Sequence, residues 1–192
     1  MYEYDVYISY DRDSETVSPW VRHHFYPRLK ELIDDNIVEK VRVFFDQEVG
    51  AGAKFPAAGY DALLHTKILV PVYSPKYFAS EWCLAEWDSM AQREDDMGMH
   101  TSGLIFPVVY SDSDSFPPWA VQRPVSDLSE WNEPRIHYQD THDYFVFRKR
   151  VNKFAAGLVR SMREAPQWQP DWPISQPEPG FVPRMRKPRW QP

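Results

Sequence analysis

The sequence predicts an α/β protein: a mainly parallel sheet of five strands covered by helices on both faces, followed by a tail of different composition. Three observations predict it. Aromatic and β-branched runs alternate with stretches of helical period as far as Arg163. One run, Ile68-Leu69-Val70-Pro71-Val72-Tyr73, is apolar almost throughout, as a strand covered on both faces must be. After Arg163 both periods stop, and proline and tryptophan become frequent.

Tyr4 to Tyr10 reads as the first strand, closed by the polar Asp11-Arg12-Asp13-Ser14. Ser18-Pro19 is the expected N-cap and first turn of a helix, and Val21, Phe25, Leu29, Leu32 and Ile33 recur at helical spacing to about Asp35. Val41 to Phe45 is a second short strand ending at Asp46, and Gln47 to Lys54 is a glycine-containing loop. Pro56 opens a helix to about His65, and the third strand ends at Ser74-Pro75. A helix from about Ser80 to Arg93, a fourth strand from Leu104 to Tyr110 and an irregular Ser-, Asp- and Pro-rich segment from Ser111 to Glu133 follow. Arg135 to Tyr138 is the expected fifth strand. Asp143 to Arg163 is the last helix, with Phe147, Val151, Phe154, Leu158 and Met162 aligned. The chain thus divides into a folded unit, 1–164, and a tail, 165–192.

At 192 residues one ordinary domain with an extension is expected. Lys and Arg number 22 against 28 Asp and Glu, which argues against a general nucleic-acid binder. Cys83 is the single cysteine, so intrachain disulfides and cysteine-rich zinc sites are excluded, and its place on an apolar helix face makes it inert. The six histidines lack metal-ligand spacing, and no metal is expected. The N-terminus lacks signal-peptide character and no apolar run approaches a membrane span, which gives the expectation of a soluble, cytoplasmic protein. In the tail, Arg184, Arg186, Lys187 and Arg189 outweigh Asp171 and Glu178. It has three possible states: lying back on its own acidic body, docking on a partner, or staying extended.

The stretch Ser80-Glu81-Trp82-Cys83-Leu84-Ala85-Glu86-Trp87 carries the chemistry. At 100° per residue, Cys83, Leu84, Trp87, Met90 and Ala91 share one face and Ala85, Asp88 and Ser89 the other. Glu86 falls on the border, half desolvated, with Trp82 one turn before it on the same flank. In parallel sheets ligands collect at the carboxyl ends of the strands, so the turns after Tyr10, Asp46 and Ser74 should converge with Glu86. Trp87 reads as a core residue.

Taken in order, Tyr4-Asp5-Val6-Tyr7-Ile8-Ser9-Tyr10, Val43-Phe44-Phe45-Asp46, Leu69-Val70-Pro71-Val72-Tyr73-Ser74-Pro75 and Trp82-Cys83-Leu84-Ala85-Glu86 resemble the successive boxes of a TIR (Toll/interleukin-1 receptor) domain of the bacterial NAD-cleaving type. The resemblance covers Tyr4 to about Arg163 and implies a flavodoxin-like fold. It implies one of two activities: cleavage of NAD+ at the nicotinamide-ribose bond, in bacterial members often in antiphage defence, or a non-catalytic adaptor and assembly role. It makes Glu86 the catalytic residue and assigns Trp82, Ser74 and Pro75 to its surroundings. Tyr10, Asp11 and Arg12 match the loop bordering the nucleotide, with Asp11 standing where several cleaving members carry a second basic residue. Asp46 to Lys54 match a loop that contacts a neighbouring subunit. The implied partners are NAD+ as substrate, further copies of the chain through TIR-TIR contacts, and a separately encoded sensor or effector. No other cofactor, nucleic acid or membrane is implied.

The chemistry suits one carboxylate. Nicotinamide leaves NAD+ as a neutral molecule, so no acid must protonate it, unlike ordinary glycoside hydrolysis with its two carboxyl groups. An ionised Glu86 would stabilise the ribosyl cation, and Trp82, Tyr10 and Phe45 would offer stacking surfaces. ADP-ribose and a cyclic ADP-ribose isomer are both open as products. A receiver domain is rejected because the third strand ends in Tyr73-Ser74 rather than an aspartate. A nucleoside deoxyribosyltransferase-like enzyme would be separated by its use of deoxynucleosides.

Overall fold

A computed structural model of the chain describes residues 1–45, 55–99, 103–111 and 116–177. Five strands form one parallel sheet: β1 (Tyr4–Ser9), β2 (Val43–Phe44), β3 (Thr66–Tyr73), β4 (Val108–Val109) and β5 (Ser126–Asp127). Their spatial order is β2-β1-β3-β4-β5. β1 pairs with β2 on one side, Val6 opposite Val43, and with β3 on the other, from Tyr4 opposite Thr66 to Ser9 opposite Pro71. β3 pairs with β4 through Val72 and Val108, and β4 with β5 through Val108 and Ser126. This is the flavodoxin-like order that the sequence resemblance implies, and it reverses direction between β1 and β3. At such a reversal the crossover connections leave in opposite directions and open a crevice at the carboxyl ends of the strands.

The helices are α1 (Val17–Trp20), α2 (Tyr26–Asp34), α3 (Phe55–Leu64), α4 (Pro75–Ala79), α5 (Glu81–Asp96), α6 (Pro118–Val121) and α7 (His142–Arg163). A π-helical turn, Val21–Phe25, joins α1 to α2. The aligned residues of the first and last helices are all buried, and the rings of Phe25 and Phe154 meet 6.0 Å apart where α2 lies against α7. Hydroxyl caps fix three helix starts: Ser74 accepts from the Tyr77 amide, Ser80 from that of Cys83 and Thr141 from that of Tyr144. The first helix begins at Val17, and Ser14, not Ser18, accepts from its amide.

Two further expectations are corrected. The fifth strand is Ser126–Asp127, whereas Ile136–Asp140 is a 3-10 turn. The turn closes through the Tyr138 amide on the Arg135 carbonyl, and Tyr138 then wedges its ring against His24 and Phe147. A two-residue edge strand of Ser and Asp has little β propensity, so its pairing with β4 alone defines it. The second correction concerns α5, whose Ala85, Asp88 and Ser89 face is buried like its apolar face.

That second face is covered by residues 166–175. The Tyr2 hydroxyl donates to the Pro166 carbonyl at 2.8 Å, and the Trp168 indole N–H donates to the Leu64 carbonyl at 3.1 Å. Trp172 is buried against Arg93, with the guanidinium 4.0 Å from its ring centroid. Ser175 closes the contact, its amide donating to Ser89 Oγ at 2.9 Å and its hydroxyl to Asp88 Oδ2 at 2.6 Å. Of the three states open to the tail, this stretch adopts the first, because tryptophans left in water would forfeit their apolar burial. Among the described residues no helix is long and apolar enough to cross a membrane.

Candidate functional site

Side chains alternate along a strand, so Tyr7 and Ser9 of β1 project from the same face. That face meets α5 at Glu86. The Tyr7 hydroxyl donates to Glu86 Oε1 at 2.7 Å, and Ser9 Oγ donates to Oε2 at 2.6 Å. Arg12, in the turn after β1, directs Nη2 at Glu86 Oε1, 3.1 Å away, and at the Tyr7 hydroxyl, 3.2 Å away. Tyr77 of α4 supports the group from behind: its hydroxyl lies 3.2 Å from Ser9 Oγ and donates to the Cys83 carbonyl at 3.1 Å. One carboxylate at the β1/β3 reversal therefore gathers three donors, one of them a cation.

Expected half desolvated at the helix border, Glu86 is instead 4 % exposed. The Arg12 side chain, 22 % exposed, is the member of the cluster that reaches solvent. Burial raises the Tyr7 pKa well above its ordinary value and Glu86 adds to the effect, so the phenol keeps its proton and donates. Burial works against the Arg12 charge, but Glu86 and its neighbours outweigh this and raise the guanidinium pKa. Burial, followed by the Glu86 charge, pushes the Cys83 thiol up to about 12.

The structure brings Glu86, Arg12 and Trp82 to one region and distributes the other expected site residues differently. Trp82 is 38 % exposed, and its ring lies 5.6 Å from that of Tyr60 on α3. Ser74 is buried as the cap of α4, and Pro75 is that helix's exposed first residue. Tyr10 and Phe45, expected as stacking surfaces, are buried to 1 % and 2 % exposure with their rings stacked on each other at 5.9 Å. Asp11 is half-buried in the turn, where its carbonyl accepts from the Ser14 amide. Asp46 lies outside the described residues. A cavity of about 990 Å³ between α7 and the β5 edge, lined by Arg123, Arg150, Lys153 and Gly157, includes none of the Glu86 cluster.

The TIR domain family model matches residues 6–142, from the first buried residue of β1 to the first residue of α7. The chain belongs to the TIR domain family. Solved structures similar to it include two from the same family. The TIR domain of the Toll-related receptor TRR-2 from Hydra magnipapillata is 19 % identical over 78 % of this chain and 99 % of that one, with a TM-score of 0.45. The TIR domains of the activated Roq1 resistosome recognising the effector XopQ are 18 % identical over 84 % of each chain, with a TM-score of 0.39. No curated protein matches the chain in sequence.

The TIR family includes NAD-cleaving and adaptor members, so membership leaves both readings in play. Within this TIR domain the sequence reading missed Tyr7 and Ser9, which bond Glu86, and Tyr77, which backs Ser9. A signal for two of them was present. Tyr7 and Ser9 are hydroxyl-bearing residues two apart in an otherwise apolar strand, and a buried hydroxyl demands a partner on the face it points to.

Proposed function

We propose that this TIR domain cleaves NAD+ at the nicotinamide-ribose bond, with Glu86 stabilising the transition state. The observation that carries the reading is the Glu86 carboxylate at the β1/β3 reversal, held by Tyr7, Ser9 and Arg12 beside the exposed Trp82. As the C1′–N bond breaks, its electron pair leaves with nicotinamide, which departs neutral, and positive charge grows on the ribose. A fixed anion at that point stabilises the charge without reorganising. Among the described residues Oε1 accepts two hydrogen bonds and Oε2 one, so Oε2 retains an acceptor direction for a ribose hydroxyl. Arg12, at the solvent edge, is placed to exchange Glu86 for a substrate phosphate and so free Oε1. Water at C1′ gives ADP-ribose, and attack by the substrate's own adenine gives a cyclic isomer.

The biological setting proposed with this activity is cytoplasmic antiphage signalling by copies assembled through TIR-TIR contacts and governed by a separately encoded partner. The adaptor reading has one observation on its side. Glu86 is nearly inaccessible, and its bonds tie β1 to α5 with no ligand required. Incubation of concentrated protein with NAD+, with products resolved by chromatography and mass, decides between them. Glu86→Gln should keep its circular dichroism spectrum and lose about a hundredfold or more in turnover, ~2.7 kcal/mol of barrier. Equal turnover by the variant would remove Glu86 from the reaction, and no cleavage by the unaltered protein would end the enzymatic reading and leave the adaptor.

A further inference from the structure

We infer that Tyr60 is a substrate-binding residue of this site, its phenol donating a hydrogen bond to an oxygen of the nicotinamide-riboside end of NAD+ held on the Trp82 face. The inference rests on the NAD+ reading of the Glu86 site. Tyr60 lies on α3, and its ring is tilted by 32° against that of Trp82, one helical turn before Glu86. Two aromatic planes from different helices thus form a ledge, and the Trp82 part of it is open to solvent.

The hydroxyl makes this pair more than packing. Among the described residues, Tyr60 Oη is buried and has no hydrogen-bond partner. An unsatisfied buried hydroxyl costs about 1–3 kcal/mol. Phenylalanine at this position would keep the ring against Trp82 without that penalty. A donor held dry, beside the carboxylate proposed to bind ribose, matches a group whose acceptor arrives with the ligand. Burial and then the Glu86 charge push its pKa up to about 12, so it remains a donor at neutral pH.

Tyr60→Phe tests the inference through three readouts. Thermal unfolding should give a melting temperature equal to or above that of the unaltered protein, because the lost group has no partner to lose. Steady-state cleavage should show kcat/KM reduced about tenfold or more. NAD+ titrated calorimetrically into Glu86→Gln, whose slowed turnover keeps substrate intact over the titration, should bind about tenfold more tightly than into the Glu86→Gln/Tyr60→Phe double variant. Unchanged kcat/KM and unchanged affinity overturn the inference while leaving the proposed activity standing. A lowered melting temperature alongside lost activity also overturns it, since the hydroxyl would then support the fold. Binding that depends on Tyr60 in a protein that never cleaves NAD+ upholds the inference and removes the catalytic reading. Absence of both binding and cleavage removes both.

Discussion

Removing Arg12 isolates the energy stored in the Glu86 cluster. Arg12→Met keeps most of the side chain's apolar stem and deletes the guanidinium, so the carboxylate retains Tyr7 and Ser9 but loses its cation. Breaking a fully buried ion pair costs about 3–5 kcal/mol, chiefly because the remaining charge is left without compensation. Here Arg12 is 22 % exposed, so water can enter the vacated space, and the expected loss falls to about 2 kcal/mol. Glu86→Gln removes the charge that needs compensating, and its amide can still accept from Tyr7 while Ser9 turns towards Tyr77. A loss of about 1 kcal/mol is expected for that variant. Combining the two should cost about as much as Glu86→Gln alone, about 1 kcal/mol, giving a coupling energy of about 2 kcal/mol. Urea denaturation of the four proteins, followed by tryptophan fluorescence and circular dichroism, measures it. Additive effects, with coupling below about 0.5 kcal/mol, would refute the claim that this cation compensates a buried carboxylate.

Two other outcomes follow from groups outside the cluster. Trp172→Ala should destabilise the protein by about 3 kcal/mol in urea denaturation and speed proteolysis within 166–175, because it strips the ring from Arg93 and Tyr2; Trp172→Phe should restore much of the loss. His24 is fully buried, its Nε2–H donates to the Arg135 carbonyl at 3.0 Å, and His23, Glu133, Tyr138 and Tyr144 surround it. Burial lowers its pKa from the ordinary 6.5, so below that pH the unfolded chain takes up a proton that the folded chain resists. The resulting stability is present above 6.5 and is lost as pH falls through the lowered value. Thermal melts at pH 7.5 and 5.5 should therefore show a smaller acid-induced drop for His24→Gln than for the unaltered protein, and equal drops would exclude the effect.

Much of the molecule was legible in short windows of sequence. The apolar continuity of Ile68 to Tyr73, the helical spacing from Phe147 to Met162 and the Ser80 cap before Trp82 each reflect interactions within a turn or a strand, and each element formed where its pattern lay. Trp87 entered the core, where its indole N–H donates to the Tyr73 hydroxyl. Glu86 stood out because of its place after the third strand, and the family boxes around it were contiguous. The fifth strand was misplaced because Ser126 and Asp127 carry no local mark of a strand.

By itself, then, the sequence determined the alternating elements, the family and the carboxylate on which the proposed function turns. Tertiary structure alone decided that this carboxylate is buried, that Tyr7 and Ser9 hold it from 79 and 77 positions away, and that residues 166–175 cover the far side of its helix. The division has a physical cause. Periodicity and capping depend on neighbours within about four residues, whereas the environment of a charge depends on which distant strands and helices chain closure brings against it.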